Sequence, residues 1–235
     1  ITVRSPQDGI SEALFDIASA LRDEYDNNAS LIFVRLASYM RPEFHSAQIL
    51  LGEILEERGK YPEAIQEFER IPEESIFFRM AQLRLSQTLR QDDKPRAAIQ
   101  VLERLKQRQP KNAENFIRLG DIYRSQKDWD EAIFAYNTAI NLTNRNSKSD
   151  WILYYSRGVA LEQSGRWDMA EADFIKALEL APNQPFIMNY LGYAWTEQGI
   201  NLKKAEQLIR NAVSLRPKDG YITDSLGWVL YQTSR

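Results

Sequence analysis

The last fifteen residues, YITDSLGWVLYQTSR, place Leu226, Gly227 and Leu230 on one stripe at helical spacing, with Tyr221, Trp228 and Tyr231 on others. That spacing predicts an amphipathic helix. Three longer stretches upstream resemble one another: RLGDIYRSQKDWDEAIFAYNTAI, SRGVALEQSGRWDMAEADFIKALEL and YLGYAWTEQGINLKKAEQLIRNAVSL. Aligned on the glycine of the first helix, Gly120, Gly158, Gly192 and Gly227 lie 38, 34 and 35 residues apart. Upstream the same slot falls on Ser86, Gly52 and Ala18 at steps of 34. A period near 34 through the whole chain predicts tandem helix–turn–helix units. The predicted repeats are 11–44, 45–78, 79–112, 113–150, 151–184 and 185–219, and 220–235 is the first helix of a further, truncated repeat. All belong to a single solenoid over 1–235.

The small residues have a steric role, because two helices at close approach need a position with little side chain where they cross. Gly120 and Ala132 supply it in the fourth unit, and Tyr123 and Tyr136 are the knobs that fill the remaining gaps. Proline punctuates the units. Pro95 in DDKPRAAI and Pro62 in KYPEAI mark helix starts, and Pro110, Pro182 and Pro217 follow helix ends, where proline cannot continue the hydrogen-bond ladder. Three departures stand out: Arg157 just before Gly158, a loop LTNRNSKSD four residues longer than the period, and one extra residue in GINLKKA.

Composition narrows the function classes. Thirty basic and 33 acidic residues leave a net charge of −3, without the basic excess of a general nucleic-acid binder. No run approaches 18 apolar residues, so no membrane span is expected. Cysteine is absent and His45 is the single histidine. Thiol catalysis, disulfides and Cys-based zinc sites are excluded, and a Ser-His-Asp site would have to use His45, at a helix start. Glu53, Glu56 and Glu57 form an acidic cluster, read as a solvated or groove-facing helix side rather than a metal site. Neither phosphate-binding glycine motif occurs. The chain is therefore expected to be no enzyme, with no catalytic residue, cofactor or metal.

The repeat resembles the tetratricopeptide repeat (TPR), a helix–turn–helix unit of 34 residues. The residues that carry the resemblance in the fourth unit are Phe116, Leu119, Gly120, Tyr123, Ala132, Tyr136 and Ala139; in the fifth, Tyr154, Gly158, Leu161, Ala170, Phe174, Ala177 and Pro182; in the sixth, Leu191, Gly192, Trp195, Ala205, Ile209, Ala212 and Pro217. The first unit, with Leu14, Ile17, Ala18, Leu21, Val34, Ala37 and Pro42, is the weakest match. The resemblance implies an all-α, right-handed α-solenoid superhelix with concave and convex faces.

Positions that line the concave groove in that family fall here on Phe15, Arg22, Ile49, Glu53, Glu56, Met80, Leu83, Gln87 and Arg90 early in the chain, then on Ile117, Asp121 and Arg124. Later units place Tyr155, Val159, Phe186, Asn189, Tyr193, Tyr221 and Trp228 there, and these are the candidate partner-binding residues. Their aromatic rings either form a binding strip or pack between neighbouring helices. Tyr193 and Trp228, each directly after a crossing glycine, are the better candidates for the strip. Asn189, with Tyr193 and Tyr155, is a candidate clamp for a peptide backbone. Ile117 and Asp121 stand where the TPRs that grip chaperone C-termini have Lys and Asn, so no binding of chaperone tails is expected.

The resemblance implies an interaction scaffold that binds a protein or peptide in the groove. The alternatives are an accessory domain of a larger enzyme or envelope-assembly protein, and a self-assembly module associating through the uncapped C-terminal helix. The final third resembles bacterial, particularly alphaproteobacterial, TPR arrays. That favours an envelope or periplasmic location over the cytoplasm.

Overall fold

The computed structural model describes residues 5–23, 27–143 and 147–233. Residues 144–146 of the long loop and 234–235 of the last predicted helix lie outside them. The described residues form thirteen α-helices and one 3-10 turn, in two compact units, 1–110 and 111–235. Each unit is a stack of helix hairpins.

The first unit contains α1 (Pro6–Asp23) with α2 (Asn27–Met40), α3 (His45–Glu57) with α4 (Tyr61–Glu69), and α5 (Phe78–Gln91) with α6 (Pro95–Arg108). The second contains α7 (Ala113–Gln126) with α8 (Trp129–Leu142), α9 (Trp151–Gln163) with α10 (Trp167–Leu180), α11 (Pro185–Glu197) with α12 (Leu202–Leu215), and the single α13 (Gly220–Thr233). The second helix of each hairpin packs on the first helix of the next within its unit, so one core runs along each stack. This is the all-α solenoid architecture.

The small slot works by direct contact. A Cβ on Gly52 would stand 2.5 Å from the Phe68 ring, and one on Gly120 or Gly158 would stand 2.7 Å from Tyr136 or Phe174. At Gly192 the obstacles are Ile209 and the Ala205 carbonyl. Each large residue lies on the partner helix of its hairpin and is fully buried. Where the slot holds Ala18, the Ser30 hydroxyl donates to the Ala18 carbonyl at 2.7 Å, again reporting close helices. Gly227 differs, since nothing lies within 4 Å of its would-be Cβ. The face of α13 that the stack does bury is Ile222, Ser225 and Val229, one position off the Leu226–Gly227–Leu230 stripe.

The turns inside the hairpins repeat one device. Gly59, Asp93, Lys127, Gly165 and Gly199 have left-handed backbone, and the residue after each donates its N–H to a carbonyl five residues back, as in Lys60 to Leu55 and Asp128 to Tyr123. This is the Schellman closure, which satisfies helix-end carbonyls and favours glycine at the left-handed position. Three of the glycines thus serve turns rather than crossings. Lys94 and Lys60 are the helix-start residues before Pro95 and Pro62, without side-chain caps. Asn112 caps α7 by accepting from the Glu114 N–H.

The departures are absorbed. Arg157 donates to both Asp173 carboxylate oxygens at 2.6–2.7 Å and to Asn137 Oδ1 at 2.6 Å, and lies over the Tyr154 ring. The end of the long loop forms the 3-10 turn Lys148–Asp150, closed by a reciprocal Ser147–Asp150 capping box. The extra residue in the sixth unit is accommodated by Asn201, which adopts left-handed backbone before α12.

Candidate functional site

Within each unit the first helices of successive hairpins lie side by side, and the candidate residues sit on those rows. In the second unit the row is α7, α9, α11 and α13. On α11, Phe186, Asn189 and Tyr193 recur at helical spacing, as do Tyr221, Asp224, Trp228 and Tyr231 on α13.

The structure divides the predicted set. Phe186, Tyr193, Tyr221 and Trp228 are exposed. Tyr155 is half-buried, edge-on to Tyr190 at 5.6 Å and tilted against Phe174 at 6.0 Å, so it belongs partly to the packing between α9, α10 and α11. Val159 is half-buried against the core. Asn189 is 2% exposed. Phe186 carries the Arg216 guanidinium at 4.5 Å over its ring. Trp228 stacks on Tyr231 at 5.7 Å.

Tyr155, Tyr193 and Tyr221 are brought together with Tyr190, which periodicity did not single out. The hydroxyls of Tyr155, Tyr190 and Tyr193 each interact electrostatically with that of Tyr221. Tyr190 donates to Glu162 at 3.1 Å. Burial is the largest cause raising the Tyr155, Tyr190 and Tyr193 hydroxyls above the ordinary phenol range; Glu162 adds to it at Tyr190 and Glu197 at Tyr193. These phenols stay protonated and both donate and accept. Tyr190 escapes a periodic search because it sits one position off the exposed stripe, and its ring reaches Glu162 across the seam between hairpins.

Asn189 Oδ1 has no hydrogen-bond partner and is shut off from water. A buried amide oxygen left this way costs about 1–3 kcal/mol. Farther along the row, Asp121 accepts from Tyr136 Oη at 2.7 Å, and Arg124 donates to the same hydroxyl at 3.2 Å.

The corresponding row of the first unit is built from charges. Arg22 on α1 bonds Glu53 on α3 at 2.6 Å and also pairs with Glu57. Arg84 on α5 bonds the other Glu53 oxygen at 2.6 Å and stands 3.8 Å from Glu56. The acidic cluster is thus held by guanidinium groups from both neighbouring hairpins. Burial is the main cause raising the Glu56 carboxyl, with Glu53 and Glu57 adding to it and Arg84 opposing. His45 starts α3 and bonds the Ser75 hydroxyl at 2.8 Å through Nδ1. No described helix is long and apolar enough to cross a membrane, and no group of His, Asp or Glu among the described residues could hold a metal ion.

Comparison with known proteins shows the family of the fold. A family model described as a tetratricopeptide repeat-like domain matches residues 11–154, and one described as a tetratricopeptide repeat matches 151–184. A TPR repeat-containing protein of Pseudomonas aeruginosa is 26% identical over 190 residues, 81% of this chain and 32% of that protein. The Arabidopsis thaliana CTR9 homolog is 30% identical over 121 residues, 52% of this chain and 11% of its own. The chain therefore spans a minor part of both relatives. Among solved structures, Cut9 in its complex with Hcn1 aligns with a TM-score of 0.66 at 17% identity, covering 95% of this chain and 47% of that one. A MamA structure aligns with a TM-score of 0.63 at 24% identity, covering 74% and 93%. These likenesses concern the fold.

Proposed function

Since the chain belongs to the tetratricopeptide repeat-like family, whose repeats generally mediate protein–protein interaction and are typically non-enzymatic, we propose that it is a non-catalytic interaction module. It holds an extended segment of a partner protein on the first-helix row of its second unit. The observation that carries this reading is the exposed aromatic stripe of α11 and α13, Phe186, Tyr193, Tyr221 and Trp228, on a stack whose core is complete without it. Large rings with few rotatable bonds bury much area at little entropic cost, which makes them anchors for association. Asn189 supplies an amide between Phe186 and Tyr193, suited to a peptide backbone once a neighbouring side chain turns aside. The likeness of the final third to bacterial TPR arrays motivates an envelope location as part of the proposal, which fractionation of the native cell checks.

The test places a photo-crosslinking residue at 193 or 228, and at Ile175 as a control exposed on α10, in the native cell. Adducts to the same partner from 193 and 228 but not from 175 are expected, diminished by Asn189→Ala. Equal labelling from all three positions would sink the assignment.

A further inference from the structure

The first-helix row of the second unit is unbalanced in charge. Its face positions on α9, α11 and α13 include Glu162, Glu197 and Asp224 and no Lys or Arg. Two nearby cations, Arg124 and Arg216, are already engaged. Arg124 is held by the Tyr136 hydroxyl and lies 3.7 Å from Asp121. Arg216 lies over Phe186 and 4.0 Å from Asp219. No described cation lies over the rings of Tyr193 or Tyr221, which is 66% exposed. Glu197 stands beside the Tyr193 hydroxyl, and Asp224 lies one turn beyond Tyr221 on an exposed face.

Carboxylates and electron-rich ring faces both lack the same thing, a positively charged N–H donor. From this charge complementarity we propose that the row takes an extended partner segment bearing arginine or lysine side chains. The inference rests on the protein-binding reading above and adds the partner's chemistry. Its cations lie against Tyr193 and Tyr221 and pair with Glu197 and Asp224. Phe186 under Arg216 is the same chemistry within the chain. The opposite arrangement, an acidic segment, would bring carboxylates against carboxylates with no Lys or Arg at the face positions of α9, α11 and α13 to receive them.

The test selects random peptides displayed on phage against the whole chain, then titrates synthetic copies of those enriched. Arg- or Lys-bearing peptides are expected. Glu197→Gln with Asp224→Asn should weaken them ~tenfold, as two modest charge contacts would, and so should replacing the peptide's arginines with citrulline. Added salt should weaken binding further. Glu69→Gln with Glu74→Gln removes the same charge from exposed positions of the first unit and should change nothing. Equal weakening by that pair would reduce the effect to net charge and overturn the proposal. Binding lost in Tyr193→Ala with Trp228→Ala but kept in Glu197→Gln with Asp224→Asn would overturn the cationic partner and leave the protein-binding reading standing. Binding indifferent to both pairs, or no enriched peptide, would overturn both.

Discussion

The two units use the same row of helix positions in opposite ways. The residue after each position of the aligned small-residue slot is Ser19, Glu53 and Gln87 in the first unit, and Val159, Tyr193 and Trp228 in the last three repeats of the second. In the first, Arg22, Glu53, Glu57, Arg84 and Glu56 bind one another from helix to helix, so the row is closed upon itself. A ligand there would have to break ion pairs before making its own. In the second, the comparable positions of α9, α11 and α13 carry exposed rings, and carboxylates with no Lys or Arg among those positions. One backbone register thus supplies both an ion-paired ladder and a surface of exposed rings and carboxylates.

The largest test of this contrast concerns where charges are buried. The second unit does contain a closed ion pair, Arg157–Asp173, away from the row, with Asp173 5% exposed. Burial raises the Asp173 carboxyl against the opposing pull of Arg157. Arg157→Ala strands that carboxylate and should cost about 3–5 kcal/mol in denaturant unfolding. Arg157→Leu with Asp173→Leu should recover most of the loss. If the single variant were as stable as wild type, the pair would not be holding α8, α9 and α10 together.

The more exposed ladder of the first unit should matter less. Glu53→Ala removes bonds to two arginines that remain partly hydrated and retain Glu57 and Glu56, for a loss of about 1 kcal/mol. A loss as large as that of Arg157→Ala would erase the distinction between the two kinds of pairing. On the other row, Tyr193→Ala with Trp228→Ala should change stability by no more than about 1 kcal/mol, because both rings are largely outside the core, while partner binding collapses. A large drop in thermal midpoint would move those rings from surface to core.

Two smaller effects sharpen the picture. The Glu56 carboxyl is raised in the fold, so the native state favours its protonated form. The stability it contributes is full below the ordinary carboxylate range and is lost as pH rises through the raised value. Glu56→Gln should therefore gain on wild type in thermal midpoint between about pH 4 and pH 7; a constant difference would show that Glu56 titrates normally. Lys127 holds a left-handed turn that three other hairpins give to glycine, so Lys127→Gly should stabilise by about 1 kcal/mol. A loss instead would mean that the lysine side chain makes a contact worth more than its strained backbone.

Much of the fold was legible because the crossing of two helices imposes the same demand in every hairpin. Gly52, Gly120, Gly158 and Gly192 each face a large side chain on the second helix, and their spacing alone disclosed the repeat. The exposed members of the candidate stripe, Phe186, Tyr193, Tyr221 and Trp228, were legible for the same reason, since helical register assigns a face. What register cannot assign is depth. Tyr155 and Val159 share that register yet are half-buried, and Asn189 is sealed, because neighbouring helices decide how much of a face remains uncovered.

By itself, then, the sequence determined the helices, their pairing and the face each presents, because these follow from a local period and from the size of one residue per turn. The tertiary structure decided which polar groups meet. Arg22 reaches Glu53 across 31 residues, Arg157 joins Asn137 and Asp173 across 20 and 16, and Tyr190 finds Glu162 across 28. Such meetings depend on side-chain length and the angle between packed helices, and no period along the chain records them. They are also what separates a row of paired charges from a row of exposed rings.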